Sequence, residues 1–323
     1  MNITNLSTPP CSMTESTSVS DNEALHIVAS IGNVIIVIVG VIGNGIVIWL
    51  GGFKMKKTIC MIWYLNLAVA DFFFCAVRIL SAVREAMNFD WPFGTIVCKV
   101  SGFMKYFNLY ASVLFLMVIS VDRCIMIANP IWCKIHRNMK RSIIICCVAW
   151  ILATAMSLPY AVLFDTYKKE RNCMCEYSPK LKKYTIHPLR ISRFIFGFVI
   201  PLIIIIASNI ILAIHLKAQR LKTSRNATRL LTVVVASFFV CWFPHHVLIL
   251  LKETHNSKMG WKVTFKMSNL LAFFSACINP VLFFFVGYVR RYPRDQSLLQ
   301  VLSRAFVEDS NCTTEPDRLQ MSV

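Results

Sequence analysis

The sequence predicts an all-α membrane protein, a seven-transmembrane helix bundle. The 323 residues are 56% hydrophobic and only 15% charged, whereas soluble proteins carry about a quarter charged residues. Seven stretches reach the ~20 residues that an α-helix needs to cross a bilayer. The net charge of +18 suits a membrane protein facing anionic lipid better than a nucleic-acid binder, so no nucleic-acid partner is expected.

Five of the stretches lack charge. They are Ile27–Leu50, Ser142–Phe164, Phe194–Leu216, Leu230–Leu251 and Met267–Val289. The second span, from about Cys60 to Val83, contains Asp71 and Arg78; the third, from about Cys98 to Ile127, contains Lys105, Asp122 and Arg123. Charge inside a membrane is costly, so these side chains are expected to face the interior of the bundle.

Lysine and arginine predict the orientation. Residues 1–25 contain neither, whereas the connections after the first, third and fifth spans carry clusters that include Lys54, Lys134 and Lys217. Because positively charged loops stay in the cytoplasm, the N-terminus is expected outside and the C-terminus inside. The outer loop between the fourth and fifth spans breaks this bias, since it carries Lys168, Lys169, Arg171, Lys180, Lys182 and Lys183. It is either a solvated basic rim or a field that steers an anionic ligand.

The predicted organisation has three parts. They are an extracellular tail (1–25), the transmembrane bundle (26–287) and a cytoplasmic helix and tail (288–323). Asn2 and Asn5 lie in Asn-X-Ser/Thr sequons of the outer tail. They are the predicted glycosylation sites.

Four of the thirteen cysteines lie on the extracellular side in this topology: Cys11, Cys98, Cys173 and Cys175. A disulfide from Cys98 to the loop after the fourth span would hold that loop over the bundle in an oxidising compartment. Spacing does not choose Cys173 or Cys175 as its partner. No cysteine or histidine set has zinc spacing.

A series of motifs follows in register on the predicted spans. They are Asn44 in Gly-Asn-Gly, Leu67–Asp71, Cys98, Asp122-Arg123-Cys124, Trp150, Pro201, Cys241–Pro244 and Asn279-Pro280. Residues from about 25 to 305 thereby resemble a rhodopsin-like (class A) G-protein-coupled receptor. The stretches Tyr64–Asp71, Trp91–Gly94 and Val235–Pro244 are similar to the chemoattractant group, which includes the formyl-peptide, chemerin and type-2 prostaglandin D2 receptors.

The resemblance implies a non-enzymatic, chemotaxis-type receptor of the plasma membrane, with a short amphipathic helix after the seventh span. It implies an extracellular ligand, a heterotrimeric G protein of the inhibitory type and arrestin as partners. G-protein coupling is expected at Asp122, Arg123 and Pro130, with Asp122 holding Arg123 at rest. Cys175 becomes the expected partner of Cys98, because Met174-Cys175 and the residues after it resemble the loop of the relatives.

A polar set in the membrane resembles the sodium pocket of the family. Its members are Asp71, Asn108, Ser112, Ser275 and Asn279. Oxygen ligands from such a set suit a hard cation, and a purely structural polar cluster is the alternative. No cofactor is expected beyond this possible sodium ion.

The ligand site is predicted from basic residues near the extracellular ends of the spans. Lys105 stands where amine receptors place an acid, so it would repel an ammonium ligand. The guanidinium of Arg193 can bind a carboxylate with two hydrogen bonds. The predicted ligand-binding residues are Arg193, Lys105, Arg78, Tyr106 and Trp242, and the predicted ligand is an anionic peptide or lipid. Tyr106 replaces an acid of the formyl-peptide receptors, which argues against a formylated peptide.

A decoy receptor with weak G-protein coupling is the alternative function. Asn209 and Phe283 stand where most relatives have tyrosines that meet in the active state. A transporter would show internal repeats, a channel a charged filter, and an enzyme a catalytic motif; the sequence has none of these. Ser310, Thr313 and Thr314 in the tail are expected to recruit arrestin once phosphorylated.

Overall fold

The structure is a computed structural model that describes residues 23–55, 57–87, 90–169, 172–178, 183–218, 222–255 and 259–289. Its helices are α1 (Glu23–Trp49), α2 (Ile59–Val77), α3 (Ile79–Ala86), α4 (Gly94–Ala128), α5 (Pro130–His136), α6 (Met139–Leu163), α7 (Lys183–Phe194), α8 (Ile200–Ala218), α9 (Lys222–His255) and α10 (Met259–Val289). Two π-helical segments extend α1 and join α7 to α8: Leu50–Lys54 and Ile195–Val199. The strands are β1 (Phe164–Lys169) and β2 (Asn172–Tyr177).

These elements form the predicted seven spans. In order, the spans are α1, α2 with α3, α4, α6, α7 with α8, α9 and α10. The helices of the first six are long and apolar enough to cross a membrane. The helices of the last two spans begin about two turns before the apolar stretches that start at Leu230 and Met267, because α9 and α10 include polar residues that a helix can present beyond the bilayer. The amphipathic helix expected after α10 lies outside the described residues.

The bundle has an apolar exterior and a partly polar interior. Large aliphatic side chains such as Ile144, Ile151 and Ile203 are exposed on its outer surface, while Asn44 and Asp71 are buried inside. This distribution suits a protein whose solvent is lipid. The end of the bundle that the charge pattern predicts to face outward is called the outer end below, and the opposite end the cytoplasmic end.

The second span is divided at Arg78. The backbone N–H of Arg78 bonds to the carbonyls of both Phe74 and Cys75, so the last turn of α2 is tightened before α3 begins. The side chain of Arg78 donates to Asn33 Oδ1 on α1 at 2.5 Å. No proline or glycine lies near Arg78 that would predict this break.

A β-hairpin covers the outer end of the bundle. β1 and β2 pair antiparallel, with Phe164 opposite Tyr177. A disulfide joins Cys98 on α4 to Cys175 on β2, with 5.7 Å between the Cα atoms, which is the pairing that the resemblance implied. Because side chains alternate along a strand, Cys175 and Tyr177 lie on one face, and the disulfide keeps Tyr177 over the bundle.

Candidate functional site

Asp71 is the centre of a polar network in the middle of the bundle. Its carboxylate is 1% exposed. Asn108 Nδ2 and Ser112 Oγ on α4 donate to Asp71 Oδ1 at 2.7 and 3.2 Å, and Asn279 Nδ2 on α10 donates to Oδ2 at 2.6 Å. The network thus connects the second, third and seventh spans through one acid.

Ser275 was expected in the same set, but its hydrogen bonds go elsewhere. Its hydroxyl donates to the carbonyl of Ala272 at 2.7 Å and accepts from Trp242 Nε1 at 3.0 Å. Because the hydroxyl gives its only proton to Ala272, it has none left to donate to Asp71. The structure therefore places Ser275 at the base of the outer site, next to Trp242.

Arg193 lies just before the π-helical segment of the fifth span, a kind of helix defect often found at functional sites. Its side chain is 1% exposed, and none of its three guanidinium nitrogens has a hydrogen-bond partner among the residues the structure describes. Its guanidinium carbon lies 5.0 Å from the centroid of the Tyr106 ring. The predicted anchor is thus a buried cation held among aromatic rings.

Tyrosines surround this cation. Tyr106 stacks on Tyr160 with 3.6 Å between ring centroids, and its hydroxyl lies 3.1 Å from that of Tyr177 in the hairpin. Phe164 packs on Tyr177, with 4.8 Å between centroids. Through Tyr177 the hairpin therefore contacts the same tyrosine that Arg193 approaches.

Lys105 lies on the other side of the same aromatic group. Its ammonium is 5.5 Å from the Tyr106 ring and 5.1 Å from the Phe273 ring. It donates to Asn269 Oδ1 on α10 at 3.0 Å. The structure thus brings Lys105 and Arg193 to one tyrosine, as the sequence predicted for two cations of a common site.

Arg78 extends the row of cations toward the first and second spans. Its guanidinium carbon lies 4.2 Å from the Phe273 ring, the ring that Lys105 also approaches. Cation and ring alternate from Arg78 through Phe273, Lys105 and Tyr106 to Arg193. Favourable cation–π contacts offset part of the cost of holding three positive charges so close together.

Some residues of the outer half were missed by sequence analysis. Glu85 on α3 forms salt bridges with Arg84 at 3.2 Å and with Lys266 on α10 at 3.0 Å. His245 and His246, which follow Pro244 on α9, are fully buried beside Trp242. Their position directly after the Cys-Trp-Phe-Pro motif was the available signal for the histidines. Nothing in the sequence paired Glu85 with Lys266.

A comparison with known families agrees with this structure, which combines seven spans, the Asp71 network and the outer disulfide. Residues 43–283 match the family described as 7 transmembrane receptor (rhodopsin family). The chain belongs to this family of receptors. The receptor is therefore a multi-pass membrane protein of a non-enzymatic class, whose partners are a ligand and a G protein.

The receptor is similar to proteins named as chemerin-like, formyl peptide and C3a anaphylatoxin chemotactic receptors. It is 35% identical over 272 residues to chemerin-like receptor 1 of Sus scrofa, covering 78% of this chain and 75% of the relative. It is 37% identical over 298 residues to N-formyl peptide receptor 2 of Pongo pygmaeus, covering 86% and 85%. It is 35% identical over 275 residues to the C3a anaphylatoxin chemotactic receptor of Danio rerio, covering 84% and 75%. The predicted membership of the chemoattractant group is confirmed.

At the cytoplasmic end of the receptor, Asp122 has a partner that the sequence did not indicate. Arg137, at the end of α5, donates to both carboxylate oxygens at 2.8 and 3.0 Å. Burial opposes the charge of this guanidinium, but the hydrogen bonds and charge of Asp122 outweigh it and raise the pKa of Arg137. Arg123, which follows Asp122 in the chain, is 6% exposed. Pro130 occupies the first turn of α5, where a proline needs no N–H partner.

Proposed function

We propose that the receptor binds an anionic peptide or lipid at the outer end and signals through inhibitory-type G proteins. It would lie in the plasma membrane with its N-terminus extracellular and its C-terminus cytoplasmic. The observation that carries the proposal is the buried guanidinium of Arg193, whose nitrogens lack hydrogen-bond partners in the described part of the chain. A buried cation without hydrogen-bond partners would be stabilised by a bound anion.

The physical argument is one of desolvation. A buried charge loses its hydration and is stable only when paired or hydrogen-bonded. The ring of Tyr106 offsets part of this cost through its electron-rich face, but it gives no hydrogen-bond acceptor to the guanidinium edge. A ligand carboxylate would supply two acceptors in the geometry that the arginine fork requires.

The other cations support the sign of the ligand charge. Lys105 and Arg78 both lie beside Phe273, so the positive field extends from the fifth span to the second. Tyr106 and Trp242 would form aromatic walls of the site. A cationic ligand would meet repulsion along the whole row, whereas an anion would be attracted to every member.

Signalling would use the cytoplasmic end. We assign Asp122, Arg123 and Pro130 to the G-protein contact, with the buried Arg123 becoming available when the Asp122 region opens. Arrestin recruitment by the phosphorylated tail and glycosylation of Asn2 and Asn5 remain predictions, because these residues lie outside the described ranges.

A sodium ion is the proposed modulator of this receptor. The oxygens of Asp71 and Ser112 already converge at 3.2 Å. Asn108 and Asn279 present N–H groups to the carboxylate, and turning their amides would replace those nitrogens by oxygens, the ligands that a hard cation prefers. Asp71, Ser112, Asn108 and Asn279 therefore fit the ion. Ser275 bonds Trp242 and has no hydrogen bond to Asp71 among the described residues. When bound, the ion would neutralise the buried acid.

A decoy receptor is the second candidate. Asn209 on α8 has a buried Oδ1 without a hydrogen-bond partner in the described ranges, at a position where a tyrosine is expected in the relatives. Phe283 stands at the other tyrosine position and has no hydroxyl, so it cannot form the active-state bridge. The loss of that bridge would weaken G-protein turnover while leaving ligand binding intact.

The test is a paired screen. Cells expressing the receptor are treated with acidic peptides and fatty-acid-derived lipids, each beside its uncharged amide or methyl ester, and inhibition of cyclic-AMP synthesis is read with arrestin recruitment. We expect responses to acids only. Arg193→Ala should abolish them, while Arg190→Ala, which removes the same charge from α7 one turn away, should retain them. Arrestin recruitment without any cyclic-AMP response would favour the decoy.

A further inference from the structure

Two adjacent histidines are the most unusual neutral groups in the outer half of the receptor. His245 and His246 are both 0% exposed, and none of their four ring nitrogens has a hydrogen-bond partner among the described residues. Buried polar groups are nearly always hydrogen-bonded, so each exception needs an explanation. Because His245, His246 and the nearby Arg193 all lack hydrogen-bond partners among the described residues, we look for one explanation for the three side chains.

The histidines lie between the fifth and seventh spans. The ring of His246 is 5.1 Å from that of Phe198 and 6.0 Å from that of Phe194, which follows Arg193 in the chain. The ring of His245 is 5.8 Å from that of Phe265 on α10. Trp242 contacts both. The pair therefore occupies the α9 side of the region that Arg193 and Lys105 border.

Burial disfavours a charged imidazole, so we treat both rings as neutral. A neutral imidazole carries one N–H donor and one lone-pair acceptor. The pair thus offers two donors and two acceptors beside the guanidinium, which offers donors only.

Neither the packing nor a metal ion accounts for these atoms. The rings that surround the histidines are Phe194, Phe198, Trp242 and Phe265, and none of them accepts a hydrogen bond in its plane. In the described ranges no three histidine, cysteine, aspartate or glutamate side chains come together as metal ligands would. A molecule that enters the site remains as the partner.

We propose that His245 and His246 form a neutral hydrogen-bonding subsite, and that the ligand carries a hydrogen-bond donor beside its carboxylate. This inference rests on the proposed binding of an anion by Arg193. A plain fatty acid brings acceptors only, so it would leave the imidazole lone pairs buried and unsatisfied. A hydroxyl or an amide N–H close to the acid would satisfy them. The ligand class is therefore a hydroxylated or amide-bearing acid, rather than an unsubstituted one.

The first test needs no ligand. When a buried polar group has no partner, an apolar replacement of similar shape is neutral or stabilising; when it has one, the replacement destabilises. The receptor is purified in lipid nanodiscs and its Tm is measured. We expect His245→Phe and His246→Phe to equal or exceed the wild-type Tm. Asn269→Leu is the matched control, because that amide bonds both Lys105 and the carbonyl of Phe265, and its Tm should fall. A lower Tm in both histidine variants would overturn the inference.

The second test uses three probes of equal acyl length: tetradecanoate, 3-hydroxytetradecanoate and N-tetradecanoylglycine. The last two place a hydroxyl or an amide N–H near the carboxylate and so distinguish the two sources of the donor. We expect at least one of them to raise the Tm more than tetradecanoate does. His246→Phe should weaken its apparent Kd roughly tenfold, to the level of the plain acid. His246→Gln, which keeps a donor and an acceptor, should recover part of the loss.

The outcomes separate the subsite from the proposed function. Equal shifts for all three acids, no shift for any, or an advantage that survives both histidine-to-phenylalanine substitutions would overturn the subsite. Arg193→Met decides what remains. If Arg193→Met removes ligand-induced increases in Tm that the histidine variants leave unchanged, anion binding by Arg193 is supported and the histidine subsite is rejected. If it removes none, both ideas fall.

Discussion

Arg137 binds the carboxylate of Asp122 through two hydrogen bonds, one to each oxygen, at 2.8 and 3.0 Å. The same guanidinium contacts Cys60 Sγ at the start of α2 at 3.3 Å. The loop that contains α5 is thereby attached to both the second and the third spans. Because Arg123 lies next to Asp122, a rearrangement that exposes Arg123 to a G protein has to strain this attachment.

Removing the attachment should raise signalling without a ligand. We expect Arg137→Gln to increase basal inhibition of cyclic-AMP synthesis, because the resting arrangement loses a partly buried ion pair worth about 1 kcal/mol, a roughly fivefold change in the equilibrium. Arg141→Gln is the matched control, since that guanidinium donates to the carbonyl of His136 on the exposed surface. Equal basal activity in the wild type and Arg137→Gln, at matched expression, would count against a resting role for the pair.

The disulfide predicts different effects for two neighbouring cysteines. Cys175→Ser should sharply reduce surface expression or the ligand response, because the loss of the Cys98–Cys175 link frees the hairpin that holds Tyr177 above Arg193. A native disulfide of this kind typically contributes about 2–5 kcal/mol. Cys173→Ser should keep expression and response near wild type. The opposite ranking in cell-surface binding and signalling assays would contradict the pairing.

Sodium sensitivity should depend on Asp71 and not on Ser275. Replacing potassium by sodium in a membrane assay of basal nucleotide exchange should lower wild-type activity, because an ion at Asp71 would connect the second, third and seventh spans in the resting arrangement. Asp71→Asn should abolish this sensitivity. Ser275→Ala should retain it, since its hydroxyl bonds Trp242 and Ala272 instead. Loss of the sodium effect in Ser275→Ala with its survival in Asp71→Asn would reverse the assignment.

Much of the fold follows from the sequence, because lipid leaves few alternatives. A stretch of ~20 apolar residues in a membrane has to be a helix, and the buried cations and Asp71 had to face inward. These positions are fixed by local composition. The first residues of α9 and α10 could not be predicted in this way. A helix that leaves the bilayer keeps its backbone hydrogen bonds in water, where its residues need no longer be apolar.

Several contacts that the sequence did not reveal join different elements of the fold. The break at Arg78 accompanies a hydrogen bond to Asn33 on another helix. The partners of Asp122 and Glu85 lie on other elements, Arg137 at the end of α5 and Lys266 on α10. Residue type and spacing indicate that such charges need partners, but only the packing of helices against one another selects which partners they have.

The binding of the ligand acid by Arg193 is tested most directly by a substitution series with an acid that activates the receptor and with its methyl ester. Removing the cation that pairs with a buried carboxylate should cost about 2–5 kcal/mol, or roughly thirtyfold to several thousandfold in affinity. We predict that Arg193→Ala loses this amount for the acid and nothing for the ester, that Arg193→Lys is intermediate because it keeps the charge without the fork, and that Lys105→Ala loses less. An Arg193→Ala receptor that reaches the surface and binds the acid with wild-type affinity, or a neutral or cationic agonist for the wild type, would contradict it.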